Sequence, residues 1–156
     1  MATFNEMAKD FLAQKNIAVV GVSRQSSEAA NLIYKTFKGK GYQVYAVNPK
    51  MDTLEGDKVY PDLKSVPGKL DGVFMMTRPE VSQQVVQECL ELGVPRVWMH
   101  ENALAGPANS SVSPEAVQAC QEQGVTVIAG GCPMMFMEFG HKCMRLILGM
   151  MGKLPK

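Results

Sequence analysis

The side chains best suited to chemistry follow the first apolar run of the chain. That run, Ile17 to Val20, is predicted to be a buried strand, and an apolar helical pattern begins at Ala29. The turn between them contains a glycine, a cation and three hydroxyls: Gly21, Val22, Ser23, Arg24, Ser26 and Ser27. Free N–H groups at the start of a helix attract anions. The segment therefore predicts a phosphate-binding turn, and a plain strand-to-helix connection remains the alternative.

Further polar turns follow the other predicted strands. Asn48, Pro49 and Lys50 end the second strand, and Thr77, Arg78 and Pro79 end the third. The turns at 100–102 and 130–133 follow the fourth and fifth strands. The carboxyl ends of parallel strands meet at one edge of a sheet, where ligands usually bind. We therefore expect the five turns to line one crevice.

The first two turns differ from those of dinucleotide-binding enzymes. The first has Gly21 but lacks the Gly-x-Gly-x-x-Gly pattern that lets a backbone approach a pyrophosphate closely. An NAD site also needs an acidic residue at the end of the second strand to accept from the ribose hydroxyls, and Asn48-Pro49-Lys50 has none. Lys50 instead favours a phosphate on the ribose. These features weaken the hypothesis of an NAD site.

The elements that must position these turns alternate along the chain. Strands are predicted at 17–20, 42–47, 71–77, 94–99 and 125–129, and helices at 4–12, 29–39, 79–93, 113–124 and about 134–150. Residues 51–70 are rich in turn formers and predict only a helical turn or two at 62–66. The predicted fold is α/β: a Rossmann-like three-layer α/β/α sandwich with a parallel five-stranded sheet in the order 3-2-1-4-5.

Length and composition limit the classes of function. The 156 residues predict a single domain, and a net charge of +1 with 46% hydrophobic residues predicts no nucleic-acid partner. There is neither a signal peptide nor an apolar run long enough for a membrane span, so we expect a cytoplasmic protein without a membrane partner. The four cysteines are far apart and predict buried free thiols rather than disulfides or a metal site.

Several segments together resemble a known family. The segments are Val19-Val20-Gly21-Val22-Ser23-Arg24, Tyr45-Ala46-Val47-Asn48-Pro49-Lys50, Gly56 with Val59-Tyr60-Pro61, Arg78-Pro79, Val97-Trp98-Met99 and Gly131-Cys132-Pro133. Over about residues 10–133, the chain resembles the small single-domain CoA-binding proteins. That family is related to the CoA-binding N-terminal domain of the succinyl-CoA synthetase α subunit.

The resemblance implies a ligand and its placement. It implies that the protein binds coenzyme A or an acyl-CoA, with the diphosphate at the first turn, the adenosine end at Asn48 to Lys50 and the pantetheine arm at Thr77 to Pro79. The chain departs from the family at His100-Glu101, where members usually carry glutamine and glycine soon after the tryptophan. It also has Met134-Met135 where a basic residue commonly follows the Cys-Pro pair.

No catalytic group can be named from the sequence. Cys132 has no base placed beside it and is expected to be a small buried residue, while His100 and His141 are expected to have structural or solvent-exposed roles rather than to bind a metal. An NAD(P)-binding enzyme or redox sensor on the same fold remains an alternative. So does an interaction domain without a ligand that uses the Met-rich C-terminal helix. The sequence also leaves a homo-oligomer open.

Overall fold

The computed structural model describes residues 1–25 and 28–155, with residues 139–141 described by their backbone alone. The helices are α1 (Phe4–Leu12), α2 (Ala29–Gly39), α3 (Pro79–Glu91), α4 (Pro114–Glu122), α5 (Met134–Met137) and α6 (Phe139–Met150). The strands are β1 (Asn16–Val20), β2 (Gln43–Val47), β3 (Thr53–Leu54), β4 (Asp57–Tyr60), β5 (Gly72–Met75), β6 (Arg96–Met99) and β7 (Thr126–Ala129). A short 3₁₀ helix spans Pro107–Asn109.

The strands form one mostly parallel sheet in the order β3-β4-β2-β1-β5-β6-β7. Strand β1 lies near its centre, where Val20 pairs with Val47 of β2 on one side and with Met75 of β5 on the other. The pair formed by β3 and β4 is antiparallel. Because β1, β2, β5, β6 and β7 run parallel, the turns that follow them lie at the same edge of the sheet.

The predicted α/β class is confirmed, but the predicted number and order of strands are wrong. The sheet has seven strands rather than five, and the strand predicted as the third, β5, pairs with β1 on the side opposite β2. The missing strands are in residues 51–70, which form a hairpin. Its second strand, β4, pairs parallel to β2 and takes the position that the order 3-2-1-4-5 gave to the third strand.

Two apolar cores cover the two faces of the sheet. Residues of β1 alternate between them: Ile17 and Val19 pack with α1 and α2, and Ala18 and Val20 pack with α3 and α4. This alternation is the expected result of successive side chains pointing to opposite faces of a strand. The helices and the sheet therefore form three layers.

Trp98 is the largest fully buried side chain. Phe4 and Phe11 contact its ring edge-on, with centroids 6.1 and 5.4 Å away, and its indole N–H donates to the Gly130 carbonyl at 2.9 Å. The expectation that this tryptophan is part of the core is confirmed. Its hydrogen bond also fixes the turn after β7.

The C-terminal helix and one cysteine differ from the prediction. The helix expected over about 134–150 is two helices, because Glu138 has extended backbone dihedrals of −112° and 139°. Cys89 and Cys120 are buried free thiols as predicted, but Cys143 is exposed on α6. No helix in the described ranges combines the length and hydropathy needed to cross a membrane.

Candidate functional site

Gly21 is the point of closest approach between the first and third turns. Its φ is +103°, and a Cβ atom built there would lie 2.2 Å from the Met76 carbonyl oxygen and 3.4 Å from the Thr77 methyl group. Only glycine fits this approach, because the neighbouring atom belongs to the backbone and cannot rotate away. The Gly21 N–H donates to the Val47 carbonyl at 3.2 Å, which also connects this residue to β2.

A buried asparagine on α2 holds the first turn in shape. The Asn31 amide oxygen accepts from the Ser23 N–H at 2.8 Å, and its NH₂ group donates to the Ser23 and Gln25 carbonyls at 2.7 and 2.9 Å. The Asn31 side chain is fully buried. Because its amide is already bonded, the Ser23 N–H is not one of the free donors that the sequence prediction assigned to a phosphate.

The second turn is hydrogen bonded to the first. The Asn48 NH₂ group donates to the Val22 carbonyl at 2.6 Å, and its amide oxygen accepts from the Lys50 N–H at 2.7 Å. The Arg24 guanidinium donates to the Lys50 carbonyl at 2.9 Å. The first two turns are therefore fixed against each other by two side-chain hydrogen bonds, and a third lies within the second turn.

Hydrogen bonds to the hydroxyl groups of two serines position the third turn. The Thr77 N–H donates to the Ser111 hydroxyl at 2.9 Å, and the hydroxyls of Thr77 and Ser82 are 2.8 Å apart. Arg78 precedes α3 and is exposed, and Pro79 is the first residue of that helix, as the sequence predicted. Ser82 and Ser111 are buried, and neither was predicted as a site residue from the sequence.

The cationic side chains predicted at the site are exposed. Arg24, Lys50, Arg78 and the neighbouring Pro49 all face solvent at the carboxyl edge of the sheet. Within residues 1–25 and 28–155, the ion pairs of the structure do not include these three cations. Their charges can therefore act on an anion at this edge. The predicted site residues Ser26 and Ser27 lie outside the described residues.

An apolar cavity of about 310 Å³ is lined by α2, by the C-terminal helices and by residues that follow β5, β6 and β7. We call it the His100 cavity; its walls include Leu32, Ile33, Met76, His100, Cys132 and Met135. Burial lowers the pKa of His100, although the nearby Glu101 opposes that effect, and burial raises the pKa of the Cys132 thiol to about 11. At neutral pH the imidazole is therefore neutral and the thiol protonated, so Cys132 is a poor nucleophile.

His100 has an unsatisfied polar atom. The residue is 5% exposed, and its Nδ1 is buried without a hydrogen-bond partner among the described residues. The sequence predicted that the turns at 100–102 and 130–133 line the crevice, but it gave His100 only a structural or solvent-exposed role and did not predict an apolar cavity. Three of the wall residues, Met76, His100 and Cys132, follow separate strands closely, and only the fold brings them together. Across the described ranges, no group of three His, Cys, Asp or Glu side chains is placed to hold a metal ion.

Comparisons with known proteins agree with this architecture. YneT, an uncharacterized protein of Bacillus subtilis, is 33% identical over 118 residues, which cover 76% of this chain and 82% of YneT. The alpha subunit of the ADP-forming acetate–CoA ligase II of Pyrococcus furiosus is 26% identical over 125 residues, covering 78% of this chain but only 27% of the subunit. A hypothetical protein from Pyrococcus horikoshii has a solved structure with a TM-score of 0.75 and 27% identity, covering 87% of this chain and 92% of that one.

The family model described as a CoA binding domain matches residues 15–138. This match includes β1 to β7 and all three of the turns described above. The chain belongs to the CoA-binding domain family.

Proposed function

We propose that this protein binds CoA at the carboxyl edge of its sheet, in a site formed by the first three turns. The observation that carries the proposal is their convergence on Gly21 and Val22. Gly21 lies against the Met76 carbonyl, and the Val22 carbonyl accepts from Asn48. The family match supports CoA as the ligand. Because the turns are already bonded to each other, little ordering of the backbone is needed on binding.

The chemistry of each turn suits a different part of CoA. The diphosphate is assigned to Gly21, Val22, Ser23, Arg24, Ser26 and Ser27, where the exposed Arg24 supplies a positive charge beside the start of α2. The adenosine end with its ribose 3′-phosphate is assigned to Asn48, Pro49 and Lys50. The pantetheine arm is assigned to Thr77, Arg78 and Pro79. These assignments give Arg24 a second role, because its guanidinium also holds the Lys50 carbonyl.

The hydrogen bonding of Asn48 favours CoA over NAD. An NAD site places a carboxylate near this position to accept from the ribose hydroxyls. Here the Asn48 oxygen already accepts from the Lys50 N–H, and its nitrogen donates to Val22. The exposed charge of Lys50 instead suits a phosphorylated ribose.

Ligand-dependent unfolding tests the proposal. At about a hundredfold excess of free CoA over its dissociation constant, the free energy of unfolding should rise by roughly 2 to 3 kcal/mol. NADH at the same concentration should produce little change. An equal effect of NADH would support the alternative of an NAD(P)-binding protein and overturn the CoA site. No effect of either nucleotide would support an interaction domain without a ligand.

A further inference from the structure

The His100 cavity adjoins the segment to which we assign the pantetheine arm. Met76 forms part of its wall and is followed directly by Thr77. The Met76 carbonyl lies against Gly21 of the first turn, and Leu32 and Ile33 of α2 form another part of the wall. A ligand that follows the three turns in the proposed order therefore has its thiol end next to this cavity.

The cavity is large enough and apolar enough for more than a thiol. Its volume of about 310 Å³ is many times the roughly 10 to 15 Å³ that a cavity needs to hold one water molecule. Apolar side chains such as Ile33, Met76 and Met135 form most of its wall. Apolar walls favour hydrocarbon, whereas a chain of waters there would find few hydrogen-bond partners.

His100 is the buried polar side chain of the wall, whose other polar residues, Asn102 and Asn109, are exposed. Buried polar atoms in proteins nearly always have a hydrogen-bond partner, and the His100 Nδ1 has none among the described residues. A neutral imidazole has one N–H donor and one acceptor nitrogen. A carbonyl oxygen is a good acceptor for such a donor, whereas a thiol sulfur is a weak one.

We propose that the His100 cavity holds the acyl group of an acyl-CoA thioester, with the His100 imidazole donating to the thioester carbonyl. The inference rests on the proposed function, because the acyl group is delivered by a CoA bound along the three turns. It assigns to the protein a preference for acyl-CoA over free CoA. The protonated Cys132 thiol forms part of the apolar wall and forms no bond to the ligand.

Calorimetric titration of the full chain with CoA, acetyl-CoA and butyryl-CoA tests the inference. Each added methylene should tighten binding by about threefold to fourfold, so butyryl-CoA should bind about tenfold more tightly than acetyl-CoA. The measured quantity is the ratio of acyl-CoA affinity to CoA affinity. A change that affects only the CoA part of the site cancels from that ratio.

Two loop variants form a matched pair for this ratio. Ala105 lines the cavity and is exposed, so A105F should fill the cavity and remove the preference for butyryl-CoA. Ala108 is exposed in the same loop but does not line the cavity, so A108F should keep the native ratio. Equal ratios in the two variants would overturn the inference.

Variants of His100 test the hydrogen bond. His100→Leu removes the donor and should lower the ratio by about tenfold, because the thioester carbonyl is then buried without a partner. His100→Gln keeps an N–H donor and should restore most of the ratio. If CoA stabilises the protein but acyl-CoA binds no more tightly than CoA, the acyl site is wrong and the CoA site stands. If neither CoA nor acyl-CoA binds, both proposals fail.

Discussion

Asp71 lies at the amino edge of the sheet and His100 at the carboxyl edge, and their side chains differ in hydrogen bonding. The Asp71 carboxylate accepts from the Asn16 and Lys15 N–H groups at 2.9 and 3.3 Å. Beside it, Arg96 donates to Asp10 at 2.6 Å. The His100 Nδ1, at the other end of the same sheet, is buried without a partner in the described part of the chain.

The difference separates groups that stabilise the fold from groups available to a ligand. At the amino edge, carboxylates and a guanidinium bond to the protein's own backbone and to each other. At the carboxyl edge, hydrogen bonds such as those of Asn31 and Asn48 hold the turns, while the cations Arg24 and Lys50 remain exposed. An edge whose turns are held by internal hydrogen bonds, and whose positive charges are exposed, is suited to bind an anion. The comparison therefore predicts that mutations at the two edges have different consequences.

The largest effect is expected for Gly21→Ala. The new Cβ would overlap the Met76 carbonyl oxygen, so the first and third turns must separate. We expect a loss of more than about 3 kcal/mol in the free energy of unfolding, since backbone strain alone at such a φ costs about 1 to 3 kcal/mol. Urea unfolding measures this loss. CoA affinity should fall with it.

Gly41→Ala is the matched control. Gly41 also has a positive φ, +87°, but a Cβ there would have no atom within 4 Å. Its expected cost is therefore the strain alone, about 1 to 2 kcal/mol. Similar losses in the two variants would show that the close approach to Met76 has no special cost.

The next largest effect is expected for Asn31→Ala. The variant removes three hydrogen bonds from the first turn and leaves the Ser23 N–H without its present acceptor. Each unsatisfied buried group costs about 1 to 3 kcal/mol, but the part of the turn that can reach water loses less. We therefore expect the free energy of unfolding to fall by about 2 to 3 kcal/mol. CoA affinity should also fall, which calorimetry can measure.

Gln118→Ala provides the control for this variant. Gln118 is on α4 and its amide donates to Glu122 at 2.8 Å on the exposed surface. Its loss should change stability by less than about 0.5 kcal/mol and leave CoA affinity unchanged. If Asn31→Ala were equally mild, Asn31 would not be holding the first turn.

Local sequence signals were sufficient for most elements of the fold. Helix α1 was predicted at its observed bounds, and Ser113 caps α4 as expected, accepting from the Ala116 N–H at 3.3 Å. Strand β4 was missed because it has four residues, of which only Val59 is buried. Besides the two-residue strand β3 of its hairpin, it pairs with β2, more than ten residues away in the sequence, and that pairing is a tertiary contact.

The site was only partly predictable for a similar reason. Residues that follow strands were located from the alternation of elements, and the three turns do meet at one edge. Asn31 gave a weak signal, as one polar residue between the apolar Ala30 and Ile33 of a helix. For the His100 cavity, the sequence placed only the turns at 100–102 and 130–133 at this edge, and the walls that come from α2 and the C-terminal helices gave no signal. Such a combination depends on the packing of elements rather than on spacing along the chain.

A smaller effect, restricted to stability, is expected for Asp71→Ala. It removes an acceptor for two backbone N–H groups at the amino edge, so we expect a loss of about 1 to 2 kcal/mol at pH 7, allowing for partial exposure. CoA affinity should not change. A weakened CoA affinity in this variant would contradict the inference that the amino edge stabilises the fold without affecting ligand binding.

The pH dependence of that loss gives a further check. Hydrogen bonding from the Asn16 N–H is the main cause that holds the pKa of Asp71 below its usual range. A lowered pKa in the folded state means that the stabilisation is present above the unfolded pKa of about 3.9 and is lost as the pH falls through the folded pKa. The difference in unfolding free energy between the native protein and Asp71→Ala should therefore shrink below about pH 4.

The smallest effect is expected at Lys50, and it concerns which ligand binds. CoA differs from dephospho-CoA by the ribose 3′-phosphate, and we assign that phosphate to the exposed side chain of Lys50. Because solvent screens an exposed pair, the lysine should favour CoA by about 0.5 to 1 kcal/mol, or roughly twofold to fivefold in affinity. Lys50→Glu should erase or reverse this preference and leave dephospho-CoA binding nearly unchanged. Added salt should weaken the preference in the native protein.

Lys69→Glu makes the same charge change just before β5 at the amino edge and should keep the native preference. If Lys50→Glu and Lys69→Glu discriminate between the two ligands equally well, the 3′-phosphate lies away from Lys50, and the adenosine end of the site must be reassigned.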